Sequence, residues 1–146
     1  MADAVFSATT KLVDGLTAEC SARDFTITLD EPVSLGGNDK GMNPVECLLS
    51  ALGACKCIVV RAFAKKHGIK LNSIRIDLDG VLDPDGFMGV NKDAKIGFSK
   101  ITTKYYISAD NTKEEIEKYI DFVESNCPVK DTIANTPAFG TEISIQ

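Results

Sequence analysis

No block of lysine and arginine occurs anywhere in the 146 residues, and the net charge is −5. A nucleic-acid groove or an anionic membrane surface needs such a block, so neither is expected as a partner. Long uncharged apolar runs are also missing, because Glu46, Lys56 and Arg61 punctuate the most apolar stretch. No bilayer-spanning helix is therefore expected. The opening "MADAVFSATT" lacks the basic start and apolar run of a secretory signal. These absences together place the expected location in the cytoplasm. There is no repeat, no low-complexity tract and no linker long enough to divide two domains, so one domain over residues 1–146 is expected. Histidine occurs once, at His67, which leaves few ligands for a metal site.

What is present is ordinary for a globular protein, with 44% apolar and 25% charged residues. The unusual feature is five cysteines. In a cytoplasmic chain they argue against a disulfide scaffold, and an odd number cannot all pair within one chain. Some must be buried thiols, reactive thiols or ligands.

The hydrophobic pattern predicts the elements around those thiols. "AVFSATTKLV", "LTAECSA" and "DFTITLDEP" read as three early strands, with a turn at Asp14 and Gly15. "LGGNDKG", from Leu35 to Gly41, reads as a loop. Asn43 is an N-cap, Pro44 suits the first helical position, and Glu46 can reach back to the cap N–H. The helix they open is expected to run to about His67, with Gly68 as its stop. Its apolar residues cover most of its circumference, from Val45 and Leu48 to Ile58 and Phe63. A helix apolar nearly all round is buried on nearly all sides. One small sheet covers one face only, so a second copy of the chain is expected over the rest.

Long alternating strands follow at "SIRIDLDGVLD" and "KIGFSKITTKYYISA", joined by a hairpin loop with Phe87 and Met88 at its tip. A second helix begins at a Thr112–Glu115 capping box, with Ile116, Tyr119, Ile120 and Val123 as its buried stripe. Its acidic residues Glu114, Glu117, Asp121 and Glu124 read as a solvated face. Pro128 is expected to stop this helix. A helical turn near Thr132 and a last strand, "TEISIQ", close the chain. The order predicts an α+β fold with a mostly antiparallel sheet on a long helix.

Helical geometry constrains "ACKC". At about 100° per residue, Cys55 and Cys57 point to opposite faces. They cannot bridge each other, nor readily share a metal ion, while the helix stands. Cys47 is about 12 Å from Cys55 along the axis. The bland reading of Cys20, Cys47 and Cys57 is a small buried hydrophobe. Cys127 sits just past a helix end beside a proline, where a thiol is fixed yet reachable. A redox pair needs one thiol on a rigid element and another near it in space. Cys55 and Cys127 fit that template, although burial alone also accounts for them.

"NPVECLLSALGAC" resembles the helix motif of the OsmC/Ohr family of thiol-dependent hydroperoxide reductases. "DEPVSLGGNDKGMNPVE" resembles the lead-in of its OsmC-like branch, and "CPV" at Cys127 resembles its second-cysteine motif. The resemblance implies an intertwined homodimer with a long buried central helix. It also implies Cys55 as the peroxide-attacking cysteine and Cys127 as the resolving one. The family uses an arginine from an early strand, for which Arg23 is the candidate, and a glutamate in the first turn of the helix. In the best-characterised branch that glutamate directly follows the N-P pair. Here that position is Val45, and Glu46 stands one place later, about 180° from Cys55 around the helix.

If the resemblance holds, Cys55 thiolate attacks an organic hydroperoxide, Cys127 converts the sulfenic acid to a disulfide, and an external thiol or dithiol reduces it. No metal, flavin or haem is implied. An apolar surround raises a thiol's pKa, and the helix dipole fades within one turn, so a cation must approach Cys55. Lys56 projects about 100° away on the same helix, which leaves Arg23 as the expected cation and Glu46 as its nearest carboxylate. The alternative is a small-ligand or lipid-binding module with little turnover, which the substitution at Val45 favours.

Overall fold

The structure is a computed structural model that describes residues 1–146. The chain divides into two compact units, residues 1–49 and 50–146. No helix is long and apolar enough to cross a membrane.

The N-terminal unit holds an antiparallel sheet of β1 (Thr9–Asp14), β2 (Thr17–Ala22) and β3 (Phe25–Leu29). The first strand starts later than its apolar lettering suggests, and residues 1–8 carry no regular structure. Gly15 turns β1 into β2 with φ +54°, where a side chain would be strained. The register places Cys20 opposite Thr10 on one side and Ile27 on the other. Phe25 and Ile27 alternate as predicted but remain exposed.

Asp30, just past β3, is 1% exposed. Its carboxylate accepts hydrogen bonds from the Thr17 hydroxyl at 2.7 Å and from the backbone N–H groups of Glu31, Asn38 and Lys40 at 2.8, 3.2 and 3.3 Å. Burial pushes its pKa up, but these donors outweigh it and hold the group below its ordinary value. One side chain thus folds the glycine-rich loop that leads to the long helix.

That helix is α1, Pro44–Phe63. The predicted cap is present: Asn43 Oδ1 accepts from Glu46 N–H at 2.9 Å, and Glu46 Oε2 accepts from Asn43 N–H at 2.8 Å. The α-helix ends four residues short of His67. The last turn, Lys65–His67, tightens to 3-10 geometry before Gly68 at φ +70°. Burial differs from expectation. Leu52, Gly53, Lys56, Val59 and Val60 are buried, whereas Val45, Leu48 and Ile58 are exposed.

The C-terminal unit continues with an antiparallel pair, β4 (Leu71–Val81) and β5 (Lys100–Ala109), in which Ile74 faces Ile107 and Leu78 faces Thr103. These strands form their own two-stranded sheet, so the fold carries two antiparallel sheets rather than one. The predicted start of the second strand at Lys95 is too early. The connection instead contains a one-turn helix, α2 (Pro84–Phe87), capped by the Asp83 side chain. Gly53 brings α1 close to β4, since a Cβ there would stand 2.7 Å from Leu78 Cδ1.

Helix α3 (Lys113–Ser125) has the predicted reciprocal capping box of Thr112 and Glu115. Tyr119 and Val123 enter the core with Val59, Val60, Ala64 and Ile69. The Tyr119 hydroxyl donates to the Val60 carbonyl at 2.6 Å, which satisfies the phenol where it is buried. His67 lies against Phe122, with ring centres 4.1 Å apart.

One expectation needs correction beyond α3. Pro128 follows the end of that helix, as expected, and opens α4 (Pro128–Ala134), which holds the expected helical turn near Thr132, because proline suits a first helical position. "TEISIQ" forms no strand. Its alternation is strand-like, but no neighbouring strand of the chain pairs with it, and Ile143 and Ile145 are exposed.

Candidate functional site

Helix α1 carries Cys55 at a half-buried position, and α4 begins at Cys127, which is 2% exposed. The Cys55 side chain lies close enough to the Cys127 thiol to act on its charge. Residues 72 positions apart in the chain therefore meet as two free thiols. The local cause is the α3–α4 corner. Pro128 lacks an N–H and biases Cys127 towards extended angles, and Cys127 has φ −91° and ψ 112°. Its Sγ then caps α4, accepting the Lys130 N–H at 3.4 Å. Burial pushes the Cys127 thiol pKa up. The Lys130 N–H draws it down, and the Cys55 contact adds to the rise. Cys57 is also pushed up by burial.

Beside the thiols lies an ionic cluster. Lys56, the residue after Cys55, is 3% exposed. Its ammonium donates to Glu124 Oε1 at 2.8 Å and to the Thr103 hydroxyl at 2.8 Å. Glu124 also pairs with Lys130 at 2.9 Å and accepts a short hydrogen bond from the Tyr105 hydroxyl. Burial would raise the Glu124 pKa, but the donors Lys56, Tyr105 and Lys130 bring it down to about 2. Tyr105 moves the other way: burial and the Glu124 carboxylate push its phenol well above the ordinary range. The cluster borders a cavity of about 520 Å³ with apolar walls that include Leu52, Ile101, Ile120 and Ile133.

The expected solvated face of α3 is thus corrected at Glu124, which is half-buried and paired with Lys56 of α1, while Glu114, Glu117 and Asp121 are exposed. A sequence signal existed at Lys56, a lone cation within an apolar helical run that needs a partner when buried. Nothing local names that partner, because Glu124 is 68 residues away. Tyr105 and Lys130 carried no signal at all.

Arg23 and Glu46 belong to the N-terminal unit. Arg23 occupies the turn between β2 and β3 rather than a strand, with φ +53° and its guanidinium 4.9 Å from the Phe25 ring centre. Glu46 holds the α1 capping box.

A family model described as OsmC-like protein matches residues 37–142. The chain belongs to the OsmC-like family. The match takes in both the helix that carries Cys55 and the corner that carries Cys127. A hydroperoxide reductase from Mycoplasma genitalium is 30% identical to this OsmC-like chain over 146 residues, covering 98% of it and 96% of the relative. A hydroperoxide reductase from Mycoplasma pneumoniae is 26% identical over 121 residues, covering 83% of this chain and 81% of that one. The crystal structure of an OsmC-like protein from Mycoplasma pneumoniae superposes with a TM-score of 0.81 at 26% identity, covering 92% of this chain and 91% of that chain.

One prediction arises from the OsmC-like site's electrostatics. Glu124→Ala leaves the Lys56 charge buried without its carboxylate. Such a break costs about 3–5 kcal/mol, and the partial exposure of Glu124 points to the lower end. The melting temperature should fall by roughly 10 °C, since about 3 °C accompanies each kcal/mol in a chain of this size. The pH dependence has a fixed sign. A carboxyl lowered from 4.5 to about 2 contributes stability that is complete above about pH 4.5 and lost as the pH falls towards 2. Melting curves between pH 6 and 2 should show this loss in the parent and a smaller one in the variant.

Proposed function

We propose that the protein reduces organic hydroperoxides at the expense of an external thiol or dithiol, with Cys55 as the attacking thiol and Cys127 as the resolving one. The observation that carries this reading is the closeness of those two free thiols, which sit on separate elements. The names of the relatives support the substrate class.

In the first step the Cys55 thiolate attacks the distal peroxide oxygen. The O–O bond breaks, an alcohol leaves with one proton, and Cys55 becomes a sulfenic acid. The Cys127 sulfur then attacks the Cys55 sulfur, water leaves, and a disulfide forms. Two external thiols, or one dithiol, reduce it by exchange and are themselves oxidised to a disulfide. We assign Arg23 the guanidinium role and Glu46 the carboxylate role that the family resemblance implies. A second copy of the chain is proposed to cover the bare α1 face of Val45, Leu48 and Ile58. The cytoplasm, where thiols stay reduced, suits the cycle.

The test is loss of cumene hydroperoxide with dithiothreitol as reductant. Many equivalents of peroxide consumed per chain are expected. A second reading, a ligand-binding module, draws on Val45 in the usual glutamate position and on the apolar cavity of about 520 Å³. Consumption that stops at one equivalent supports the module instead.

A further inference from the structure

Lys56 and Glu124 stand at telling places. Lys56 follows Cys55 directly on α1, and Glu124 lies three residues before Cys127 in the last turn of α3. Their ion pair therefore ties the backbone on which one thiol sits to the corner that holds the other. Lys130 extends the tie. Its ammonium binds both the Glu124 carboxylate and the Glu124 carbonyl, at 2.9 and 3.1 Å, while its backbone N–H meets Cys127 Sγ. Thr103 and Tyr105 of β5 close the set from the sheet. Four elements converge on one carboxylate and one ammonium.

Stability does not account for this arrangement. A well-packed apolar pair of the same volume commonly stabilises a core as well as a buried ion pair does. Directional hydrogen bonds supply what apolar contact lacks, a fixed register between the joined elements.

We propose that Lys56 and Glu124 are positioning residues that hold Cys55 and Cys127 in bonding register. The pair sets the effective concentration of one thiol at the other and thereby the rate and equilibrium of disulfide closure. The inference rests on the reading of Cys55 and Cys127 as partners, but it does not require peroxide to be the oxidant.

The experiment equilibrates the protein with reduced and oxidised glutathione and measures the Cys55–Cys127 disulfide by mass spectrometry. The parent is compared with Lys56→Met/Glu124→Met, which replaces the ion pair by apolar volume. The double variant should melt within a few degrees of the parent, yet its effective thiol concentration should fall at least tenfold. A tenfold fall raises the potential of the couple by about 30 mV. Dimedone should also trap the Cys55 sulfenic acid for longer, since closure is slower. Tyr105→Phe removes one hydrogen bond from Glu124 and keeps the ring, so a smaller fall of a few-fold is expected. It decides the matter should the double variant not fold. An unchanged glutathione equilibrium in the folded variants overturns the proposal, as does a parent that forms no Cys55–Cys127 disulfide in the buffer. A parent that forms the disulfide but turns over no peroxide defeats the peroxidase reading and leaves the positioning role standing.

Discussion

Cys55→Ser should abolish catalytic loss of cumene hydroperoxide, with kcat/KM falling at least a thousandfold. A serine hydroxyl is not measurably ionised at neutral pH and cannot carry a sulfenic acid, so both the nucleophile and the intermediate vanish. Cys127→Ser should behave differently. The attacking thiol remains, so the first turnover survives. The sulfenic acid then persists until external thiol reaches it, or it oxidises further to the irreversible sulfinic acid. Progress curves should start and then decay as the protein inactivates. Cys57→Ser is the control, because helical geometry points Cys57 away from Cys55. It should retain most activity. Equal loss in the Cys55 and Cys57 variants would point to general disruption of the helix, and full activity without Cys55 would remove the thiol from the mechanism.

Peroxide should raise the melting temperature by about 10 °C, and dithiothreitol should reverse the rise. The Cys55–Cys127 bond closes a loop of 72 residues. Chain entropy assigns such a cross-link about 4 kcal/mol, part of which native strain can offset. At roughly 3 °C per kcal/mol the shift is readily measured. The two thiols are already neighbours in the reduced protein, which keeps the rearrangement needed for closure small. Cys127→Ser should show no such shift. A peroxide-treated parent that melts unchanged would mean that these thiols are not joined.

The parts of this fold legible in the sequence are those written in local chemistry. Asn43, Pro44 and Glu46 announced the start of α1, and Thr112 with Glu115 announced α3, because a cap is made by residues three apart. The stripe of Tyr119 and Val123 reached the core for the same reason, since helical period alone directs it. The proposed pairing of Cys55 with Cys127 draws on motif resemblance and the helix end at Pro128, not on any spacing rule. What could not be read depends on long-range pairing. Alternation at "TEISIQ" marks a strand only if another strand receives it, and none in this chain does. The angle of Lys56 on the helix relative to Cys55 says nothing of the partner that Lys56 meets across the fold. Its actual partner comes from α3, whose acidic residues looked uniformly solvated. Glu124 differs from Glu117 only in what the fold brings against it.

The central claim is most directly tested by treating the reduced protein with one equivalent of cumene hydroperoxide, blocking free thiols, and mapping non-reduced peptides by mass spectrometry. The account predicts that the peptides containing Cys55 and Cys127 are joined as the main product, with Cys20, Cys47 and Cys57 recovered as free thiols. Recovery of Cys55 and Cys127 as unmodified thiols, or a main linkage through any other cysteine, would contradict it.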